Sequence, residues 1–265
     1  MKNGRAPEKA EMRDTSGKQS VSDAAENRIP AKEKSAAESA FENFWYHYKW
    51  HTIAAIVAAA FLIIAFSQMA GRKEYDAHVL YTGPKYLDKE ICLDIIASMT
   101  EAAEAAQPLK DSPVDYNGDG ALTVDFNKFI YVSPALAEQY KEQDIYFNGL
   151  ENANSRGDFD NMLVIGEYVI LLVDRSLYEE TAEAGVYCTW EETVGKKPEK
   201  ALDDCGILLS DLDIGHTNGF RQLPEDTVLC CRKKSYVNAL NKKVQNEDMY
   251  RAEVALFCQL VEYRK

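Results

Sequence analysis

The sequence predicts an α/β domain with a mixed sheet, preceded by one transmembrane helix and a disordered N-terminal tail. Three observations carry that reading. Residues 52–70 form an uncharged apolar run, strand-like and helix-like patterns alternate from residue 74 onwards, and residues 1–40 hold no aromatic side chain. Strands alternating with helices are the pattern of α/β sheets. The divisions that follow are a tail over 1–40, an aromatic belt with the membrane helix over 41–73, and an acidic soluble domain over 74–265.

The tail is rich in Ala, Glu, Lys, Ser and Asp. It cannot bury enough surface to offset chain entropy, so it reads as disordered. Ile29-Pro30 adds a turn, and residues 31–40 form at most a short, marginal helix. Residues 52–70 read TIAAIVAAAFLIIAFSQMA. As a helix they span ~28 Å, close to the hydrocarbon thickness of a bilayer. Only a helix satisfies its own backbone groups there. The preceding residues 41–51 include Trp45, Tyr46, Tyr48 and Trp50, whose amphipathic rings suit the headgroup level. Arg72 and Lys73 follow as a basic stop able to snorkel to the interface. The alternatives are a core helix of a soluble protein, which this flanking pattern disfavours, and a cleaved signal peptide, which the late start and length of the run disfavour. Ala54/Ala58 and Ala55/Ala59 are small-xxx-small pairs that permit a homodimer through this helix, although alanine is common in membrane helices.

The first 51 residues carry nine Lys/Arg against eight Asp/Glu, and the chain carries −13, which leaves −14 on residues 71–265. An acidic domain repels phosphate backbones, so nucleic acid is excluded as a partner. Membrane lipid and an unidentified protein or small-molecule ligand remain. Basic residues flanking the helix lean slightly against a cytoplasmic tail. The charged tail, with no signal peptide to carry it, leans the other way, and a signal-anchor helix can translocate a long domain whatever its charge. The sequence favours tail cytoplasmic, domain extracytoplasmic, in the cell membrane.

Within the domain, residues 74–82 alternate apolar and polar and meet Gly83-Pro84, a strand and a turn. Residues 85–106 repeat apolar residues at helical spacing. Residues 122–132, LTVDFNKFIYV, read as a strand. Ser133-Pro134 opens a helix reaching about residue 148, with the hydroxyl as cap and proline in the first turn. A second helix covers 149–164. Residues 166–174 are nearly unbroken apolar, the mark of a strand covered on both faces. A helical turn region over 174–182, short strands at 207–209 and 227–231, and a helix over 247–263 capped by Asn246 complete the chain. On that last helix Val254, Phe257, Cys258 and Val261 share a face.

A helix leading into Gly166-Glu167-Tyr168-Val169-Ile170-Leu171-Leu172, together with the opening strand and its helix, resembles bacterial extracellular solute-binding proteins. The resemblance covers about half of residues 75–210. It implies an α/β fold and ligand capture in a cleft, here on a single-pass membrane anchor.

The candidate metal site is Asp115-Tyr116-Asn117-Gly118-Asp119-Gly120, with Asp125 beyond it. Oxygen ligands at positions one, three and five, with glycine at six, match the start of an EF-hand calcium loop. Asp115, Asn117, Asp119 and Asp125 are the expected calcium ligands. Phe126 stands where a bidentate carboxylate belongs, and a tight Asn-Gly/Asp-Gly turn entering a strand is the other reading. Of six cysteines, Cys92 and Cys258 read as core thiols and Cys188 with Cys205 as the most plausible disulfide. Cys230 and Cys231 point to opposite faces of a strand. His78 reads as a solvent-facing strand residue and His216 as a loop residue beside Asp211 and Asp213. No nucleophile elbow, zincin, P-loop or dinucleotide motif is present. The function expected is a non-catalytic binding or interaction module. The rivals are an extracytoplasmic hydrolase using Asp211, Asp213 or His216, and a structural subunit of a membrane complex held through the alanine-rich helix face.

Overall fold

A computed structural model describes residues 35–70, 74–110, 112–235 and 247–264. Most of the predicted tail, the Arg72-Lys73 pair and the Asn246 cap lie outside them. The chain divides between Gly71 and Arg72 into two compact units.

The first unit contains one helix, α1 (Ala36–Ala70). It runs unbroken from the predicted marginal segment through the aromatic belt, because that belt holds neither Gly nor Pro and pairs its rings at helical spacing. Phe41 stacks on Trp45 at 6.2 Å and Phe44 on Tyr48 at 5.4 Å. Ala37–Ser67 is long and apolar enough to cross a membrane, the one such helix among the described residues.

The second unit is a five-stranded mixed sheet in the order β2-β1-β3-β5-β4. Its strands are β1 (Ala77–Gly83), β2 (Val124–Ile130), β3 (Ile170–Asp174), β4 (Gly206–Leu208) and β5 (Thr227–Cys231). β1 pairs in parallel with β2 and β3, while β5 runs antiparallel to β3 and β4. Helices α2 (Lys89–Ala106), α3 (Pro134–Glu142), α4 (Gly149–Ile165), α5 (Arg175–Ala182) and α6 (Glu247–Glu262) connect and close it. The mixed α/β architecture expected from the alternation is present.

Period two sorts the strands onto two cores. Val79 and Tyr81, Ile170 and Leu172, and Leu229 and Cys231 face one side, packed with Met99 of α2 and Phe257 of α6. Leu80, Leu171, Val173, Val228 and Cys230 face the other, against Phe159 of α4 and Leu177 of α5. A strand buried on both faces needs no alternation, which is why 170–173 reads as a solid apolar run. The β1–α2–β2 step moves one way along the sheet and the β2–α4–β3 step the other. Right-handed crossovers in opposite directions place their helices on opposite faces, as found for α2 and α4.

The caps follow the sequence. Asp88 Oδ1 accepts from the Ile91 amide, Ser133 Oγ from Leu136, Asn148 Oδ1 from Leu150, and Asp174 Oδ1 from Ser176. Several boundaries differ from expectation. α3 stops at Glu142 because Asp144 adopts φ +56°, a conformation its short polar side chain tolerates. β3 starts at Ile170, since Gly166 first ends α4 in the left-handed region. α6 buries Ala252, Glu253, Leu256, Phe257, Leu260 and Val261, while Val254 and Cys258 are only half-buried. Its inward face is turned from the predicted one because Glu253 faces β1. Three short 3₁₀ turns, Leu209–Asp211, Asp213–His216 and Phe220–Gln222, fill a stretch with no local signal.

Candidate functional site

A groove of about 620 Å³ opens between the loop over 194–200, the turns around 211–213 and the end of α6. Its floor is apolar and comes from three elements: Ile207 of β4, Leu212, and Val261 of α6, each almost fully buried. The loop is fixed from behind. Trp190 Nε1 donates to the Asp203 carbonyl at 2.9 Å, the Gly195 amide donates to the Trp190 carbonyl at 2.8 Å, and the Trp190 ring stacks on Phe257 at 6.0 Å. Lys196, Lys197, Lys200 and Arg264 line the groove with Glu199, Asp211, Asp213 and Glu262. Lys197 reaches Asp204 at 2.9 Å and Lys200 reaches Asp211 at 3.7 Å. Among the described residues no carboxylate lies within ion-pair distance of Lys196 or Arg264. The arrangement therefore offers charges of both signs around an apolar base. The lining is therefore mostly charged, with Ile207, Leu212 and Val261 as its apolar base.

The structure separates the residues proposed for hydrolysis. Asp211 and Asp213 line this groove, whereas His216 is exposed and lines a different cavity of about 190 Å³ with Ser210, Phe220 and Glu225. No acid–base pair is assembled from the three.

The 115–125 loop is held by its own amides. Asp115 accepts from Gly118 and Gly120, each at 2.9 Å, Asn117 from Asp119 at 2.9 Å, and Asp119 from Ala121 at 2.8 Å. Gly118 and Gly120 take the positive φ angles the turn requires. Asp125 lies instead on β2, where it accepts from Tyr168 Oη at 3.3 Å. Among the described residues no group of three or more His, Cys, Asp or Glu is placed to hold a metal ion. Asp76, which sequence reasoning missed, also fastens the loop. Fully buried, it accepts from the Asn117 amide at 2.9 Å and the Thr123 amide at 2.7 Å. Burial raises its pKa, and the charges of Asp115 and Asp119 push the same way against the two amides.

His78 is also not where the sequence placed it. Instead of facing solvent it is buried on β1, and Glu253 of α6 is fully buried against it. The His78 amide donates to Glu253 Oε1 at 2.9 Å, and the imidazole Nδ1 lies 2.9 Å from the same oxygen. Tyr75 and Tyr168 contact the ring edge-on at 5.9 and 6.0 Å. Burial is the largest single influence and pulls the imidazole pKa down. The Glu253 hydrogen bond, with the charges of Glu253, Asp125 and Glu167, outweighs it, so the net shift is upward. The two residues are 175 positions apart, and neither carries a motif that announces the other.

All six cysteines are free thiols. Cys188 packs in the α2/α6 core and Cys205 against the α4/α5 core, so the expected pairing is not formed; the Cys188 amide instead donates to the Cys231 carbonyl. Cys92 and Cys258 pack against the core as expected, and Cys230 and Cys231 face opposite sides of the sheet.

No protein-family model, curated protein or solved structure matches the chain.

Proposed function

We propose that this chain is a single-pass, membrane-anchored binding module whose domain is extracytoplasmic and captures a short peptide or similar zwitterion. The observation that supports the binding role is the 194–213 groove, with both signs of charge around an apolar floor. An ammonium end fits the carboxylates, a carboxylate end fits Lys196 and Arg264, and the floor accepts an apolar side chain. The resemblance to extracellular solute-binding proteins implies ligand capture in a cleft, in keeping with a binding role.

The anchor rests on α1. Its apolar side chains are exposed along their length, Phe61 at 72% for example, and lipid is the solvent that suits them. Moving the 17 charged residues among the first 51 across a bilayer is costly, which supports a cytoplasmic tail. Protease added to intact cells should then digest the domain and spare the tail. Digestion of the tail with a protected domain refutes this orientation.

The binding test uses the full chain in detergent, incubated with a pool of tripeptides and separated by gel filtration. Retained peptides are identified by mass spectrometry. The wild type should retain a subset. Lys196→Glu with Arg264→Glu, both at the groove rim, should weaken retention at least about tenfold, the loss expected when a charged hydrogen bond is removed. Equal retention by wild type and variant, or none by either, overturns the reading.

A further inference from the structure

Two cysteines far apart in sequence stand at facing chain positions. Tyr187 and Arg232 form an antiparallel bridge, and the Cys188 amide donates to the Cys231 carbonyl at 2.8 Å. That register sets Cys188 directly opposite Cys231. Opposite residues on antiparallel chains project to one face, with Cα atoms about 4.5–5.5 Å apart. Disulfides bridge Cα separations of roughly 4.4–6.8 Å. Both side chains lie in the α2/α6 core. Tyr250 Oη lies 3.3 Å from Cys188 Sγ. Cys230, the next residue along β5, faces the other core and is turned away from Cys188.

We propose that Cys188 and Cys231 form a redox-active pair that closes to a disulfide on reaction with a disulfide oxidant of the glutathione or oxidoreductase class. The Cys188 thiolate attacks one oxidant sulfur and expels the other as a thiol. Cys231 then loses its proton and attacks the Cys188 sulfur of the mixed disulfide, expelling the second oxidant thiol. The two cysteines give up two electrons and two protons, and the oxidant disulfide becomes two thiols. The order follows from the surroundings. The neighbouring Cys231 thiol and the Tyr250 hydroxyl lower the Cys188 pKa despite its burial. Cys231, fully buried beside Cys188, is raised well above its ordinary value.

The test treats the full chain in detergent with oxidised glutathione, both native and during refolding from denaturant. Free thiols are then alkylated and the chain is mapped by mass spectrometry without reduction. The expected result is a Cys188–Cys231 crosslink, with Cys92, Cys205 and Cys258 alkylated. The link should persist in Cys230→Ser and Cys205→Ser and vanish in Cys188→Ala. Because the bond closes a long loop, the oxidised protein should melt several degrees higher than the reduced one, and Cys188→Ala should lose that difference. A Cys188–Cys205 link, or six alkylated cysteines in both the native and the refolded arm, overturns the proposal.

Discussion

Replacing Glu253 by alanine is expected to cost the domain about 3–5 kcal/mol of folding stability, the usual loss when one member of a buried ion pair is removed. Glu253 has no exposed surface and faces His78, which is nearly as buried. One carboxylate oxygen serves both the His78 amide and its Nδ1. Alanine leaves that buried amide without its acceptor. Against a total stability of about 5–15 kcal/mol, such a loss is readily seen as a fall in the urea midpoint. The pair also predicts a pH dependence. His78 has a folded-state pKa above its ordinary 6.5. Below that ordinary value the ring is charged in both states and the attraction contributes fully. As pH rises through the raised folded value the proton is lost and the contribution disappears. The wild-type midpoint should therefore fall as pH rises from 6.5 through the raised folded value. In Glu253→Gln the fall should shrink or reverse, because burial then dominates and pulls the imidazole pKa down. Equal pH slopes in the two proteins would show that the pair does not set the dependence.

The second large effect is expected at the end of α4. Arg232 is buried and donates through Nε to the Leu163 carbonyl at 2.7 Å and through Nη1 to the Lys233 carbonyl at 2.6 Å. Ser235 Oγ donates to the Val164 carbonyl at 3.0 Å. The last carbonyls of the helix are thus met by a cation and a hydroxyl, which also complements the helix dipole. Burial lowers the Arg232 pKa, and among the described residues no carboxylate pairs with it. Arg232→Ala should destabilise by about 2–4 kcal/mol, since charged hydrogen bonds contribute about 1.5–3 each and the carbonyls stay buried. Gly166 sits under the guanidinium at φ +77°, and a Cβ there would lie 2.2 Å from Arg232 Nη1 and 2.6 Å from Ser235 Cβ. Gly166→Ala must therefore strain the backbone and displace the arginine, at about 2–3 kcal/mol. The double variant should cost less than the sum, because alanine at 232 removes the guanidinium the new methyl would strike, leaving only the Ser235 contact. Strict additivity in chemical denaturation would show that the two residues do not share this contact.

The sequence by itself determined the elements whose signal is local. A nineteen-residue uncharged run specifies a helix of membrane length whatever surrounds it. The solid apolar run at 170–173 specifies a strand with two covered faces. Ser133-Pro134 specifies a helix start, because a cap is satisfied by the next few amides. Where those signals are weak, the boundaries moved, as at Asp144 and Gly166, where one positive φ angle ends a helix. Everything that could act chemically was decided by the tertiary structure. Asp76 reads as an ordinary polar residue before a strand until the 117–123 amides close on it. His78 has the period of an exposed position, and only the docking of α6 encloses it. The groove joins residues near 200 to residues near 262, and Cys188 meets Cys231 through a register that no spacing encodes. Periodicity reports how one element faces an average interior. Which side chains meet inside depends on strand order and on which helix covers which face, and those follow from long-range packing that no short window of sequence contains.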